Sequence, residues 1–234
     1  MKKTVFIDGQ HGTTGLKIHE RLRDRSDIEV IEIPHEKRKD PDAKKTMLNQ
    51  ADVVFLCLPD QAARESVALI ENPSVRVIDP STAHRTVEGW EYGIPELNAT
   101  QRDRIRNSKR VAVPGCYASG FALTVHPLVA KGFLPASYPV SSYAITGYSG
   151  GGRQMIENFQ AHQGEEEYAA RPKNLDLGHK HLPEMRTYGL LERDPIFTPI
   201  VGDFFQGMLV FVPLYPNLLK GSVDAKRVRE FYRE

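Results

Sequence analysis

Cysteine is nearly absent from this 234-residue chain, which has only Cys57 and Cys116. Two cysteines in unlike contexts do not make a disulfide scaffold, so the fold has to rest on a hydrophobic core. A reducing compartment, the cytoplasm, is expected. An excess of one charge is lacking too: 31 Lys and Arg face 30 Asp and Glu, a net charge of +1. Composition therefore carries no signal for nucleic acid or an acidic partner, and none is expected. No apolar run is long enough to cross a bilayer, and no membrane association is expected. The basic-then-apolar start, residues 1–7, is broken by Asp8 and Gly9 well short of a signal-peptide core and reads as a strand. Internal repeats and low-complexity tracts are also missing.

What remains is an ordinary globular balance, 40% hydrophobic and 26% charged, in a chain long enough for one large domain or two modest ones. Residues 4–7, 28–33, 51–58 and 75–79 are short, rich in Val and Ile and nearly apolar throughout, as strands covered on both faces are. Between them, 14–25, 41–50 and 61–71 carry helical spacing. A helix over 98–107, with Asn98 as cap and Gln101 in the third helical position, precedes a strand at 109–113. This β-α-β-α order predicts an α/β fold with a Rossmann-type, doubly wound parallel sheet. After Gly115 the pattern changes: a helix at 118–130, a strand at 140–145, strands at 196–201 and 207–213, and a charged helix at 224–233. Residues 160–180 are polar and carry no assignment. The second half reads as α+β, with a domain boundary near residues 114–116.

The first strand runs into Gly9-x-x-Gly12-x-x-Gly15, followed at once by a helix. Glycines at such a junction let the backbone approach a pyrophosphate, and the helix start offers N–H groups to it. The first spacing differs from the common dinucleotide fingerprint, and a ligand-free glycine turn is the alternative reading. After the second strand come Glu36, Lys37 and Arg38, and the two cations suit the 2′-phosphate of NADP, although a basic loop is often only solvated.

Cys57 lies in an apolar strand and reads as a core residue, whereas Cys116 follows a strand, a proline and a glycine and opens a helical segment. There the helix dipole favours thiolate, and nearby N–H groups suit an oxyanion; a structural cysteine is the alternative. A base is available in His179-Lys-His181, whose two rings share a side if the segment is extended. A zinc site lacks the accompanying ligand pattern, so no metal is expected, and a solvated His-Lys-His remains the alternative.

Taken together, five separated motifs in order resemble the N-acetyl-γ-glutamyl-phosphate reductase family, in its shorter bacterial form, within the semialdehyde dehydrogenase group. They are the glycine loop, Asp79-Pro-Ser-Thr-Ala-His-Arg85, Tyr92-Gly-Ile-Pro-Glu-Leu97, Pro114-Gly-Cys-Tyr117 and His179-x-His181-x-Pro183-Glu184. The resemblance implies an NADP(H)-binding domain over 1–115 and a catalytic and dimerisation α+β domain over 116–234. It implies Cys116 as nucleophile and His179 as acid/base. Ser149, Gly150, Arg153, His181, Glu184 and Arg85 would contact an acyl-phosphate substrate. Gly9, Gly12, Thr13, Thr14, Gly15, Lys37, Arg38 and Ser81 would hold the cofactor. For Arg85 and Arg153 an ordinary ion pair is the competing reading.

A homo-oligomer built through the second domain is implied as well. The family's chains continue past the position of Glu234, so this one is expected to be a fragment with a weaker cofactor site. Two other functions compete: a relative acting on aspartyl or carrier-bound aminoadipyl phosphate, and an inactive nucleotide-binding remnant.

Overall fold

The computed structural model describes residues 2–9, 12–37, 40–221 and 224–233. The chain divides into two compact units, Met1–Gly115 and Cys116–Glu234.

The first unit alternates strand and helix: β1 (Lys3–Asp8), α1 (Thr13–Arg23), β2 (Ile28–Ile31), α2 (Pro41–Gln50), β3 (Val53–Leu56), α3 (Asp60–Ala68), β4 (Arg76–Asp79), β5 (Glu91–Tyr92), α4 (Gln101–Asn107) and β6 (Arg110–Ala112). Its strands form one six-stranded sheet in the order β2-β1-β3-β4-β6-β5, and every pairing is parallel. The order reverses beside β1, so the loop leaving β1 sits at the topological switch point, where open α/β sheets take their ligands. The α/β reading holds because apolar runs such as Val53–Leu56 need cover on both faces. The core gathers Phe6, Leu48, Val54, Leu56, Ala63, Val75 and Val77, all buried. Each large side chain among them contributes roughly 1.5–3 kcal/mol.

Local hydrogen bonding shifts several boundaries. Asn98 does not cap α4: its Oδ1 accepts from the N–H and hydroxyl of Thr100, closing a turn ahead of the helix. Gln101 then begins the helix and donates its buried amide to the carbonyl of Tyr92 instead of reaching back to a cap. Pro41, by contrast, follows an Asp40 that accepts from the N–H groups of Asp42 and Ala43, so α2 begins where its proline and capping acid place it.

The second unit contains α5 (Cys116–Ala130), β7 (Ser141–Gly147), α6 (Gly152–Ala161), β8 (Ala170–Pro172), α7 (Leu182–Tyr188), β9 (Ile196–Gly202), β10 (Met208–Phe211) and α8 (Ala225–Phe231). Its sheet order is β10-β7-β9-β8, with β7 and β9 parallel and both outer pairings antiparallel. The buried stripe Ala118, Phe121, Val125, Leu128 runs along α5 at helical spacing and packs with Met185 of α7, Ala144 of β7 and Phe197 of β9. Close approach to β10 requires a glycine on α5, since a Cβ on Gly120 would lie 2.8 Å from Val210. The stretch over 160–180 holds the end of α6, a tight turn at Glu166–Tyr168 and the edge strand β8. Three residues are too few for a strand to show its alternation in sequence.

No helix among the described residues is long and apolar enough to cross a membrane.

Candidate active site

In the first unit, Gly9 leaves β1 with φ +87°, and a Cβ there would lie 2.2 Å from the carbonyl oxygen of Cys57. Both facts require glycine: the backbone is left-handed and runs hard against the exit of β3. Gly12 donates to the carbonyl of Gly9 at 3.0 Å and serves as the N-cap of α1, where no side chain caps and no acid occupies the first turn. The backbone N–H groups of Thr13, Thr14 and Gly15 thus open α1 with an uncompensated positive dipole, the arrangement that receives a phosphate. The side chain of Thr13 lies outside the described residues, as does Arg38. Lys37 is exposed in a tight turn, His35–Lys37, with its N–H bonded to Pro34. The acid just beyond β2 is Glu32, which sequence reading passed over; His19 Nε2 holds its Oε1 at 2.8 Å.

At the end of β4, the fully buried Asp79 accepts from the N–H and hydroxyl of Ser81, both at 2.8 Å, and contacts His84 Nδ1 at 2.5 Å. Ser81 Oγ also accepts from the N–H of Ala83, so its proton is directed inward and a ligand would meet only an oxygen lone pair. The His84 ring lies flat on Trp90, centroids 4.1 Å apart. The motif over 79–85 contains His84, but its stacking on Trp90 was not legible there, because it depends on a loop closing over six residues. Arg85, expected to meet an anion, is buried and donates to the carbonyls of Val113 and Pro80, both at 3.0 Å. These bonds fasten the exits of β4 and β6 together and turn that part of the guanidinium away from a ligand.

Cys57 sits half-buried one residue beyond β3. Burial, with the negative charges of Asp8 and Asp79 behind it, pushes its thiol up to about 11. It stays protonated at neutral pH.

In the second unit, Cys116 is the first residue of α5 and is exposed. The next ring, Tyr117, lies 5.6 Å from His179 in an edge-on arrangement and 5.7 Å from His181, and it also packs on Phe197. Burial above all, then the charge of Cys116, pushes the Tyr117 phenol up to about 12. It is a neutral wall.

The segment carrying the histidines is not extended. His181 is the N-cap of α7 in a helical conformation, and its backbone N–H donates to Nδ1 of His179 at 3.0 Å. The two rings still meet, centroids 4.6 Å apart and nearly perpendicular. Because Nδ1 of His179 accepts, the proton of the neutral ring resides on Nε2. His181 Nε2 and Glu184 Oε1 are 3.9 Å apart, both deeply buried one helical turn from each other.

The glycine-rich stretch after β7 turns through Tyr148–Gly151 into α6. The backbone N–H of Ser149 donates to the carbonyl of Phe205 at 2.9 Å, so it is not available to an anion. Gly150 is exposed in the same turn. Arg153 is exposed and paired with Glu157 at 2.7 Å, an i,i+4 ion pair within α6 that holds the guanidinium more firmly protonated. No group of three potential metal ligands occurs among the described residues.

The chain is similar to known proteins along both of its halves. "Semialdehyde dehydrogenase, NAD binding domain" matches residues 28–107, and "Semialdehyde dehydrogenase, dimerisation domain" matches 116–234. An N-acetyl-gamma-glutamyl-phosphate reductase of Chelativorans sp. is 55% identical over 99% of this chain and 76% of its own length. N-acetyl-gamma-glutamyl-phosphate reductase 2 of Pseudomonas putida is 48% identical over 96% of this chain and 72% of its own. Among solved structures, aspartate semialdehyde dehydrogenase II of Vibrio cholerae superposes with a TM-score of 0.72 at 15% identity, covering 100% of this chain and 79% of that one; it shares the fold. With both halves matched and relatives this similar along nearly its whole length, the chain belongs to the semialdehyde dehydrogenase family and, within it, to the N-acetyl-γ-glutamyl-phosphate reductases.

Proposed function

We propose that this chain catalyses the reduction of N-acetyl-γ-glutamyl phosphate to the semialdehyde with release of phosphate, a step of arginine biosynthesis. The observation that carries the reading is an exposed thiol at the start of α5, whose neighbouring ring packs against His179 and His181.

Cys116 attacks the γ-acyl carbon from a position where the α5 dipole favours thiolate. The carbon–oxygen bond to phosphate breaks, phosphate departs with the electron pair, and a thioester remains on Cys116. NADPH, when bound, supplies the hydride that takes the thioester to the aldehyde level. His179 acts through Nε2, because Nδ1 is engaged by the backbone, and it holds and returns the proton at the acyl oxygen. Collapse to the aldehyde then expels the Cys116 thiolate. His181 and Glu184 form the buried support behind His179. Ser149 and Gly150 face the phosphate from their turn. Arg153 supplies positive charge from α6, and Arg85 acts by holding the β4 and β6 exits.

Residues 1–115 serve as the cofactor domain and 116–234 as the catalytic one. Gly9, Gly12, Thr13, Thr14 and Gly15 cradle the pyrophosphate, and the Asp79-held Ser81 borders the site. A preference for NADP follows from the cations Lys37 and Arg38, together with a Glu32 already engaged by His19 and so not presented to a ribose. The protein works in the cytoplasm as a homo-oligomer through the second unit.

The test runs the reaction backwards, with N-acetylglutamate semialdehyde, NADP and phosphate, following NADPH formation. Strict phosphate dependence, abolished by Cys116→Ala, supports the proposal. Turnover without phosphate would instead make the chain a hydrolytic aldehyde dehydrogenase.

A further inference from the structure

Two buried carboxylates end strands of the first unit's sheet, Asp8 on β1 and Asp79 on β4. They lie at the carboxyl edge, where open α/β sheets receive their ligands. Asp79 is met by Ser81 and His84. Asp8, 6% exposed, is met instead by a lysine. Lys44 Nζ of α2 lies 3.0 Å from Asp8 Oδ2, and the hydroxyl of the wholly buried Ser66 of α3 donates to the same oxygen at 2.7 Å. Lys44 also donates to that hydroxyl at 3.2 Å. The three groups close a triangle that joins β1, α2 and α3.

Two observations set the triangle apart from an ordinary ion pair. Lys44 is the fourth residue of α2, close behind the Asp40 cap, so a cation stands near the positive end of the helix dipole, against the local preference. Asp8, for its part, directly precedes Gly9. Its carbonyl accepts the N–H of Cys57 at 2.7 Å, and the carbonyl of Cys57 is the group that closes on Gly9. Main chain and side chain of Asp8 therefore fix the entry to the glycine loop together. Burial first, and then the charge of Asp8, raises the Cys57 thiol, so that charge is felt at the floor of the loop.

A bare carboxylate one residue before a pyrophosphate cradle repels the ligand that the cradle receives. Burial strengthens the repulsion, because little water screens it. We propose that Lys44 is a positioning residue for cofactor binding, acting through Asp8. It neutralises the carboxylate at the entry to the glycine loop, so the N–H groups opening α1 meet the cofactor's phosphates with no opposing charge behind them. The inference rests on residues 1–115 as the cofactor domain and deepens that reading. A packing role would need only the shape of the triangle; this role needs its charge.

The test is fluorescence titration of the full chain with NADPH, with thermal melting of each cofactor-free variant beside it. Lys44→Met leaves Asp8 uncompensated and is expected to weaken NADPH by about tenfold or more. Lys44→Arg keeps the charge and should bind within about threefold of the parent. Asp8→Asn combined with Lys44→Met removes both charges and should also return to within about threefold, although the ion pair is gone. Asp8→Asn alone should bind at least as tightly as the parent. Unchanged affinity in Lys44→Met overturns the proposal. So does an equal loss in Lys44→Met, Asp8→Asn and the double variant, which would make the triangle structural only. Should Lys44→Met fail to fold, Asp8→Asn and the double variant carry the comparison. A parent chain that does not bind NADPH sinks the cofactor reading and this inference with it. Binding by the parent with no effect of Lys44→Met sinks the inference alone.

Discussion

Nδ1 of His179 accepts the backbone N–H of His181, and that bond leaves Nε2 as the only ring nitrogen able to exchange protons with a substrate. It joins residues two apart in sequence, and it forms because the chain turns into α7 there. His179→Gln is expected to lower kcat by about 10²–10³-fold, the usual range for a lost acid/base. KM should stay within a few-fold, and the rate of Cys116 alkylation should be little changed. A variant retaining a tenth or more of the parent kcat would remove His179 from the reaction.

Tyr117 is expected to act by shape. Its phenol is held neutral and its ring walls both histidines. Tyr117→Phe should preserve turnover within about threefold, while Tyr117→Ala should lower kcat by roughly tenfold or more through the freed His179 ring. Steady-state kinetics on both variants decides it; equal losses would point to the hydroxyl instead.

The two thiols should separate cleanly under alkylation. Cys116 is exposed at a helix start, whereas Cys57 is half-buried with its thiol pushed up to about 11. At pH 8 iodoacetamide should modify Cys116 first. Cys57 should lag by about a hundredfold, the thiolate fraction lost over two pH units. Peptide mapping of a time course reads this directly, and comparable rates would contradict it.

Cys57 also predicts an alkaline weakness. Its pKa in the fold exceeds the ordinary 9.0, so the folded state binds this proton more tightly than the unfolded state does. The resulting stability is complete below pH 9 and is lost as pH rises through about 11. Partial exposure limits it to on the order of 1 kcal/mol. Melting temperatures between pH 8 and 10.5 should fall less steeply in Cys57→Ala than in the parent; parallel curves would disprove the assignment.

Gly9→Ala should be severe. The new methyl would meet the Cys57 carbonyl at 2.2 Å on a left-handed backbone, so the loop must move. We expect a loss of several kcal/mol in stability and at least tenfold weaker NADPH binding. Fluorescence titration and thermal melting test both, and an unchanged affinity would show that the loop does not hold the cofactor.

Much of this was legible in the sequence because it depends on neighbours along the chain. The parallel sheet follows from apolar runs that need two covered faces, and α2 from Asp40 and Pro41 at its start. The glycine loop follows from its place between a strand and a helix, as does Cys116 from its place after a strand and before α5. The motifs carried the family for the same reason.

What the tertiary structure alone decided involves partners far apart in the chain or hydrogen bonds whose direction residue type does not specify. Two of the Arg85 donors meet the carbonyls of Pro80 and Val113, partners that residue type alone does not specify. The N–H of Ser149 is taken by the carbonyl of Phe205, more than fifty residues along the chain. Lys44 and Ser66 carry no signal of their own in the sequence. They become partners of Asp8 only when α2 and α3 pack beside β1, a consequence of topology and not of composition.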